Sequence, residues 1–237
     1  MNYLIATLIS LGLISSGAYW YTHSSLAPRD TGASTKYVDQ TVSENTPGTA
    51  VGVDTDTQTA DSSLSHTESQ WLLHMREEEK LARDVYQTLG QEWGIPAFAN
   101  IAASEQTHTD RVLALLEQYG LSDPVTNDAV GVYTDPQFTQ LYTDLVAQGL
   151  QSRADALIVG ATIEDLDIVD LGQAMQETNN TDIVAVYANL QKGSRNHLRS
   201  FNQLLIQETG EGYTPTYLQA AQFDQIINSP RERGPAS

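Results

Sequence analysis

Glu105 and His108 are the residues whose types and spacing best suit metal binding in this sequence. A carboxylate and an imidazole three positions apart lie on the same face of an α-helix, so both can reach a single ion. The motif Glu-x-x-His is short and often arises by chance, so its setting decides its weight. Apolar residues recur at helical spacing on both sides of it, from Ile101 to Leu115, which predicts that the pair lies on a core-facing stripe.

Three other predicted helices show the same pattern, an apolar stripe that is interrupted near its middle by one polar turn. The interrupting residues are Glu79 on the first long helix, Glu105 and His108 on the second, Glu164 on the third, and Ser194 and His197 on the fourth. In an antiparallel bundle these turns would meet at about the same height. Buried carboxylates are costly unless a partner neutralises them, so the pattern predicts a metal site, most compactly a pair of divalent ions.

The composition restricts which ligands and partners are available. The chain has no cysteine, which excludes disulfides, thiolate zinc sites, iron–sulfur clusters and cysteine nucleophiles. Any metal must therefore be held by carboxylates and by the five histidines. With 30 acidic against 12 basic side chains, the formal net charge is −18, which argues against binding nucleic acid or docking on an anionic membrane surface.

The residues alone leave several alternatives open. The carboxylates and imidazoles could pair with one another in buried salt bridges and hold no metal. Within the run Glu77–Glu79, which is most simply a charged helix start, Glu79 fits the core stripe best and Glu78 is the alternative ligand. Tyr86 and Tyr187 lie on core stripes, where packing is the usual role and a redox or hydrogen-bonding role is the alternative. His74 is interpreted as a surface residue.

The elements that must position these residues are predicted to be helices throughout, with no convincing strand alternation. The predicted helices are about 67–92 with Thr67 as cap, 96 to about 119, 136–148 capped by Thr134 or Asp135, 151–177, 181–208 and 215–227. The first two long helices are joined by a short loop, as are the last two, but about thirty residues separate the pairs. One long crossover between two helical hairpins predicts a ferritin-like four-helix bundle with extra short helices, over residues 67–228.

The two ends of the chain have a different composition. Residues 1–26 contain a nearly uncharged apolar run, Tyr3 to Tyr21, which predicts a signal peptide or an N-terminal membrane anchor. Residues 27–66 form an acidic, Ser/Thr-rich linker that is expected to be disordered, because it has no apolar periodicity. Residues 229–237 are expected to be a flexible tail. The helical domain is therefore predicted to be exported, on the periplasmic or extracellular side, either anchored or secreted.

Four blocks of the sequence resemble a prokaryotic group of ferritin-like proteins, the domain of unknown function family 2202. The blocks are EEEKLARDVY at 77–86, IAASEQTHTDRVLALLEQYG at 101–120, VGATIEDLDIVDL at 159–171 and GSRNHLRSF at 193–201. The blocks occur in the same order as in that family, and the resemblance covers about 67–228. The wider superfamily includes ferritin and rubrerythrin, and the chain is locally similar to rubrerythrin.

The resemblance to rubrerythrin implies a set of metal ligands. The matching positions are Glu79, Glu105, His108, Glu164, Asp167 and His197. Asp167 enters only through this resemblance, since rubrerythrin-like proteins carry two carboxylates three positions apart on the third helix. One position departs from the pattern, because Ser194 stands where the superfamily has the glutamate of a second Glu-x-x-His. The second bridging carboxylate is therefore missing, and Asp167 or water would have to replace it, or the site would hold a single metal.

The resemblance implies a di-iron centre, with manganese as the alternative metal. Such a protein would act as an oxidoreductase on dioxygen, peroxide or Fe²⁺, and it would need an external electron donor because the cysteine-bound iron domain of rubrerythrin is absent. The other expected partners are a second copy of the chain, as a homodimer, and the membrane if the N-terminal segment is not cleaved. The alternative function is a non-enzymatic helical interaction module at the cell envelope, either stabilised by metal or metal-free.

Overall fold

The computed structural model describes residues 64–234, so the predicted anchor and most of the predicted linker lie outside the described residues. The described part contains six helices and no strand, which confirms the all-α prediction. The helices are α1 (His66–Trp93), α2 (Pro96–Gln118), α3 (Pro136–Gly149), α4 (Arg153–Gln176), α5 (Thr181–Thr209) and α6 (Ala220–Asn228). None of these helices is both long and apolar enough to span a bilayer.

The start of α1 is defined by a capping box at Ser65, two residues before the predicted cap. Ser65 accepts a hydrogen bond from the backbone of Glu68, and the Glu68 carboxylate accepts one from the backbone N–H of Ser65. Thr67 was the predicted cap, and that prediction is wrong because the reciprocal pair satisfies more of the free backbone N–H groups. At the other end of the helix, Gly94 adopts the left-handed conformation (φ 61°), and Pro96 then opens α2.

Helix α6 begins at Ala220, five residues after the predicted start at 215. The buried carboxylate of Asp165 on α4 explains the difference. It accepts hydrogen bonds from the backbone N–H groups of Thr216, Tyr217 and Leu218 at 2.6, 3.0 and 2.9 Å. Because those N–H groups donate to a side chain of α4, they are not free to start a helix, and the segment before Ala220 is a loop that contacts α4.

Helices α1 and α4 run antiparallel, as the contacts at their two ends show. Trp71, in the first turns of α1, donates to Glu177 just after the end of α4 at 2.9 Å. Arg153, the first residue of α4, donates to the carbonyl oxygen of Trp93 at the end of α1, also at 2.9 Å. The polar turns at the middle of both helices therefore lie at the same height.

Helices α2 and α5 are paired in the same way, because Tyr119 just after α2 donates to Asp182 in the first turn of α5 at 2.6 Å. The most extensive helix packing joins α1 to α2 and α4 to α5, the two pairs with short loops. Residues 119–152, which include α3, run from the end of α2 to the start of α4 at the opposite end of the molecule. This connection covers the outer face of α1.

The connection buries a run of charged residues on α1. Every residue from Arg76 to Tyr86 is buried, including all three of Glu77–Glu79. The run was interpreted as a charged helix start in which Glu79, or alternatively Glu78, faces the core, whereas all three glutamates are buried because the connecting segment lies against them. For example, Glu77 accepts hydrogen bonds from the backbone N–H groups of Thr134 and Asp135.

The apolar core consists of two clusters, one toward each end of the long helices. One includes Leu81, Val85, Phe98, Leu157 and Phe201, and the other includes Leu72, Met75, Val112, Leu171 and Leu190. The polar turns of the four long helices lie between the two clusters. In the predicted tail, Glu232 accepts hydrogen bonds from Arg195 and Arg199 of α5 at 2.6 and 3.0 Å, so this part of the tail lies against α5.

Candidate metal centre

The carboxylate of Glu105 lies at the middle of the polar layer, between two imidazoles. Its Oε2 is 2.8 Å from Nδ1 of His108 on the same helix, and its Oε1 is 2.7 Å from Nδ1 of His197 on α5. All three residues are at least nine-tenths buried. The two rings are nearly parallel, with centroids 5.8 Å apart. Each oxygen of Glu105 therefore faces a separate imidazole, which is the arrangement expected of a carboxylate that bridges two ions.

A second carboxylate lies beside each imidazole. Oε2 of Glu79 is 3.2 Å from Nδ1 of His108, and Oε1 of Glu164 is 3.4 Å from Nδ1 of His197. The result is two groups of one imidazole and two carboxylates, each compact enough to surround a cation, with Glu105 common to both. The structure thus brings together five of the six predicted ligands as two half-sites that share one residue.

Asp167, the sixth predicted ligand, lies outside both groups. Its Oδ2 accepts a hydrogen bond from the Ser194 hydroxyl, which occupies the position of the missing glutamate. The resemblance implies a carboxylate at both positions, so here Asp167 is the only carboxylate of the pair, and its Oδ1 is buried and has no hydrogen-bond partner among residues 64–234.

The electrostatics of the layer reflect an excess of carboxylates. Burial raises the pKa of Glu79 to about 8, and burial together with Glu79 raises that of Asp167 well above its ordinary value. Burial disfavours the charged imidazole of His197, but the carboxylates of Glu105 and Glu164 outweigh it and raise its pKa to about 10. The carboxyl of Glu105 shows the reverse, because His108 and His197 outweigh its burial and lower its pKa.

The two tyrosines singled out as catalytic candidates differ in their contacts. The hydroxyl of Tyr86 donates to Oε1 of Glu164 at 2.7 Å, so it contacts a candidate ligand directly. Burial, reinforced by Glu164, raises the pKa of Tyr86 well above its ordinary value, so the phenol keeps its proton. The hydroxyl of Tyr187 is buried without a hydrogen-bond partner among the described residues. Tyr86 is therefore positioned to orient Glu164, whereas Tyr187 touches no candidate ligand through its hydroxyl.

Gly193 makes room for His108, a role that the sequence pattern did not indicate. A Cβ atom at position 193 would lie 2.6 Å from both Cε1 and Nε2 of the His108 ring. Glycine inside a helix costs about 1 kcal/mol relative to alanine, so its presence in α5 needs a local reason. The close approach of the imidazole supplies that reason.

The structure also shows a third group of possible metal ligands that the sequence reasoning missed. His74, Glu78 and Asp170 place one nitrogen and two carboxylate oxygens within 4.8 Å of one another. The interpretation of His74 as a surface residue is wrong, because its side chain is only 10% exposed. The available signals were the spacing of His74 and Glu78, one helical turn apart, and that of Asp167 and Asp170.

The donor set of the layer fits a divalent cation. Ligands held at about 2.1 Å in tetrahedral geometry lie about 3.4 Å apart, and octahedral neighbours lie about 3.0 Å apart. The four imidazole–carboxylate distances around Glu105 lie between 2.7 and 3.4 Å. In addition, Oε1 of Glu79 is buried and has no hydrogen-bond partner within the described part of the chain. Oxygen and imidazole donors of this kind suit iron, manganese or zinc.

Fold and site together define an all-helical protein whose core contains a layer of carboxylates and imidazoles. The chain belongs to the family described as Uncharacterized protein domain (DUF2202), whose pattern matches residues 68–230. It is 53% identical over 171 residues to Uncharacterized protein MJ0754 of Methanocaldococcus jannaschii, covering 72% of this chain and 92% of that protein. It is also similar to the crystal structure of MJ0754, with a TM-score of 0.70, covering 71% of this chain and 96% of that one.

Proposed function

We propose that this chain is a ferritin-like protein that binds two divalent cations, with iron as the expected metal and manganese as the alternative. The observation that carries the proposal is the position of Glu105, whose two oxygens lie 2.8 and 2.7 Å from the imidazoles of His108 and His197. One ion would be held by Glu79, Glu105 and His108, and the other by Glu105, Glu164 and His197. Two helical pairs joined by one long connection also suit the ferritin-like arrangement.

The reaction we propose is either oxidation of Fe²⁺ by dioxygen or peroxide, which accept the electrons, or reduction of dioxygen or peroxide with electrons from an external donor. A bound pair of redox-active ions would supply the electron transfer. The protein residues hold the ligands in position and exclude water, since the polar layer lies between two apolar clusters. Tyr86 keeps its proton and orients Glu164 through its 2.7 Å hydrogen bond. Asp167, which accepts a hydrogen bond from Ser194, keeps one buried carboxylate oxygen in the layer without a hydrogen-bond partner among the described residues.

The test is to load the full chain with Fe²⁺ under anaerobic conditions, count the bound iron, and then admit oxygen while recording ferric absorption. We expect Glu105→Gln to bind about two fewer irons per chain than the wild type, because that residue serves both half-sites. The matched control is Asp224→Asn, which removes one exposed carboxylate on α6. Equal iron binding and equal oxidation rates in the wild type and Glu105→Gln would contradict the proposal.

A second candidate function is a non-enzymatic module at the cell envelope whose polar layer only stabilises the bundle. The observation that favours it is that each imidazole lies within 3.4 Å of two carboxylates, close enough for direct salt bridges. On this alternative, bound iron would be inert to oxygen and peroxide, or no iron would bind. We also propose export, on the basis of the apolar run from Tyr3 to Tyr21.

A further inference from the structure

A third group of possible ligands consists of His74 and Glu78 on α1 and Asp170 on α4. Glu78 adjoins Glu79 in the sequence, but the group is separate from the candidate metal centre. Nε2 of His74 is 3.2 Å from Oε2 of Glu78 and 3.8 Å from Oδ2 of Asp170. These distances lie on either side of the separation of about 3.4 Å expected between two ligands of one tetrahedral cation. The second distance is too long for a direct hydrogen bond.

The surroundings fix the His74 ring in this orientation. The Trp71 ring meets it edge-on, with centroids 5.7 Å apart, and the Phe138 ring of α3 lies 5.2 Å away on a tilt. The side chains of Glu78 and Asp170 are 5% and 10% exposed, so the group is nearly closed to solvent. An imidazole held between aromatic rings, with one nitrogen facing two carboxylates, is preorganised to bind a cation.

The carboxylates of Glu78 and Asp170 are not fully neutralised by positively charged side chains. No lysine or arginine within residues 64–234 forms an ion pair with Glu78 or Asp170. Oε2 of Glu78, the atom directed at His74, is buried and accepts no hydrogen bond of good geometry among the described residues. Even a protonated His74 would balance only one of the two carboxylates. Burying a carboxylate without a partner is costly, so the group favours a cation.

We propose that His74, Glu78 and Asp170 form a third divalent-cation site, distinct from the two half-sites around Glu105. One nitrogen and two carboxylate oxygens suit a first-row ion such as Mn²⁺ or Fe²⁺, with water completing the coordination. The site shares two helices with the candidate centre, since Glu78 adjoins Glu79 and Asp170 follows Asp167 by one turn.

The decisive experiment uses Mn²⁺ as the probe, counted by equilibrium dialysis against the full chain at pH 7. We expect Asp170→Asn to bind about one fewer Mn²⁺ per chain than the wild type, because it removes a ligand of this site alone. The exposed substitution Asp224→Asn should leave the count unchanged. Glu105→Gln should lose the ions of the candidate centre and retain the one held by Asp170. An unchanged count in a folded Asp170→Asn variant would overturn this site, whatever Glu105→Gln does.

Anomalous diffraction from crystals of the wild-type protein soaked in Mn²⁺ gives a second answer that does not depend on any variant. A peak bounded by Nε2 of His74, Glu78 and Asp170 supports the site. The absence of that peak, when the ion is present in excess, overturns it. Peaks beside Glu105 bear only on the proposed di-metal centre, so the two proposals can fail separately.

Discussion

Two buried polar regions lie on opposite sides of α1, and they differ in how their charges are balanced. On the outer face, the basic residues Arg76, Lys80 and Arg83 form ion pairs with three aspartates, Asp84, Asp123 and Asp128. On the inner face, within residues 64–234, four carboxylates meet two imidazoles. The inner residues are Glu79, Glu105, Glu164, Asp167, His108 and His197. The outer network is therefore complete within the chain, whereas the inner layer has an excess of negative charge.

This difference distinguishes buried polar groups that stabilise the fold from buried polar groups that are suited to bind a ligand. In the outer network, Asp84 is fully buried and accepts hydrogen bonds from Lys80 at 2.5 Å and from Gly131 and Tyr133 at 3.0 Å. The hydrogen bonds from Gly131 and Tyr133 hold the connection (residues 119–152) against α1. In the inner layer, buried oxygens of Glu79 and Asp167 have no hydrogen-bond partner among the described residues. A divalent cation would compensate the inner layer, and it has no role in the outer one.

The largest effect is expected from breaking the outer network. Asp84→Asn leaves Lys80 and Arg83 without their shared buried counter-charge, so we expect a loss of about 3–5 kcal/mol in the free energy of unfolding. The loss should be the same with and without added Mn²⁺, measured by urea unfolding. The number of bound ions should not change in the folded variant. A loss of metal binding in that variant would erase the distinction between the two regions.

Breaking the inner layer should reduce the stability that depends on Mn²⁺, in contrast to the loss expected for the outer network, which does not depend on the ion. The wild-type protein is expected to gain about 2.7 kcal/mol of stability for each bound ion when free Mn²⁺ is a hundredfold above the dissociation constant of that site. Glu105→Gln should abolish most of this gain, because the residue serves both half-sites. Urea unfolding with and without the ion measures it. If Glu105→Gln retained the full gain, the stabilising ion would have to bind elsewhere.

A smaller effect is expected from Gly193→Ala. This substitution adds one methyl group and changes no charge, so it tests packing alone. Alanine normally stabilises a helix interior by about 1 kcal/mol relative to glycine. Here the added Cβ would lie 2.6 Å from the His108 ring, so we expect a net loss of about 1–3 kcal/mol and weaker metal binding. Gly172→Ala on α4, where the nearest atom is the flexible end of Gln191 at 3.1 Å, is the matched control. A stabilising Gly193→Ala would show that His108 is not confined.

The smallest change is expected from pH. In the metal-free protein, Glu105 and Glu164 raise the pKa of His197 to about 10 against the opposing effect of burial, so its ring is protonated at pH 7. A cation needs the neutral ring, so binding releases protons and the affinity should rise with pH, by at least about 1.4 kcal/mol per unit. Isothermal titration with Mn²⁺ at pH 6, 7 and 8 measures this. An affinity that is independent of pH would exclude His197 as a ligand.

The helices and the inner layer could be predicted because both follow from the spacing of apolar and polar residues along the sequence. Stripes at intervals of three and four residues placed Glu79, Glu105, Glu164 and His197 on the core, and all four are buried. The outer network could not be predicted in this way. Its ion pairs join α1 to residues up to 47 positions away, such as Asp123, and no period in the sequence records such contacts.

The same limit explains the errors. Glu77 and Glu78 resembled a charged helix start because their burial depends on the connection and on α4, not on their own helix. The start of α6 was placed too early because Asp165, on a different helix, holds the preceding backbone. Long-range contacts of single side chains decided each of these positions. His74 was assigned to the surface for the same reason.

We propose that the inner layer binds two cations that share Glu105 as a ligand. Locating the ions in a crystal is the most direct test. Crystals of the protein grown with Mn²⁺ should give two anomalous peaks, one on each side of the Glu105 carboxylate. One peak should adjoin Nδ1 of His108 and the other Nδ1 of His197. A layer with no peak beside Glu105, in crystals that contain excess Mn²⁺, would contradict the claim and would leave the imidazoles and carboxylates as buried salt bridges.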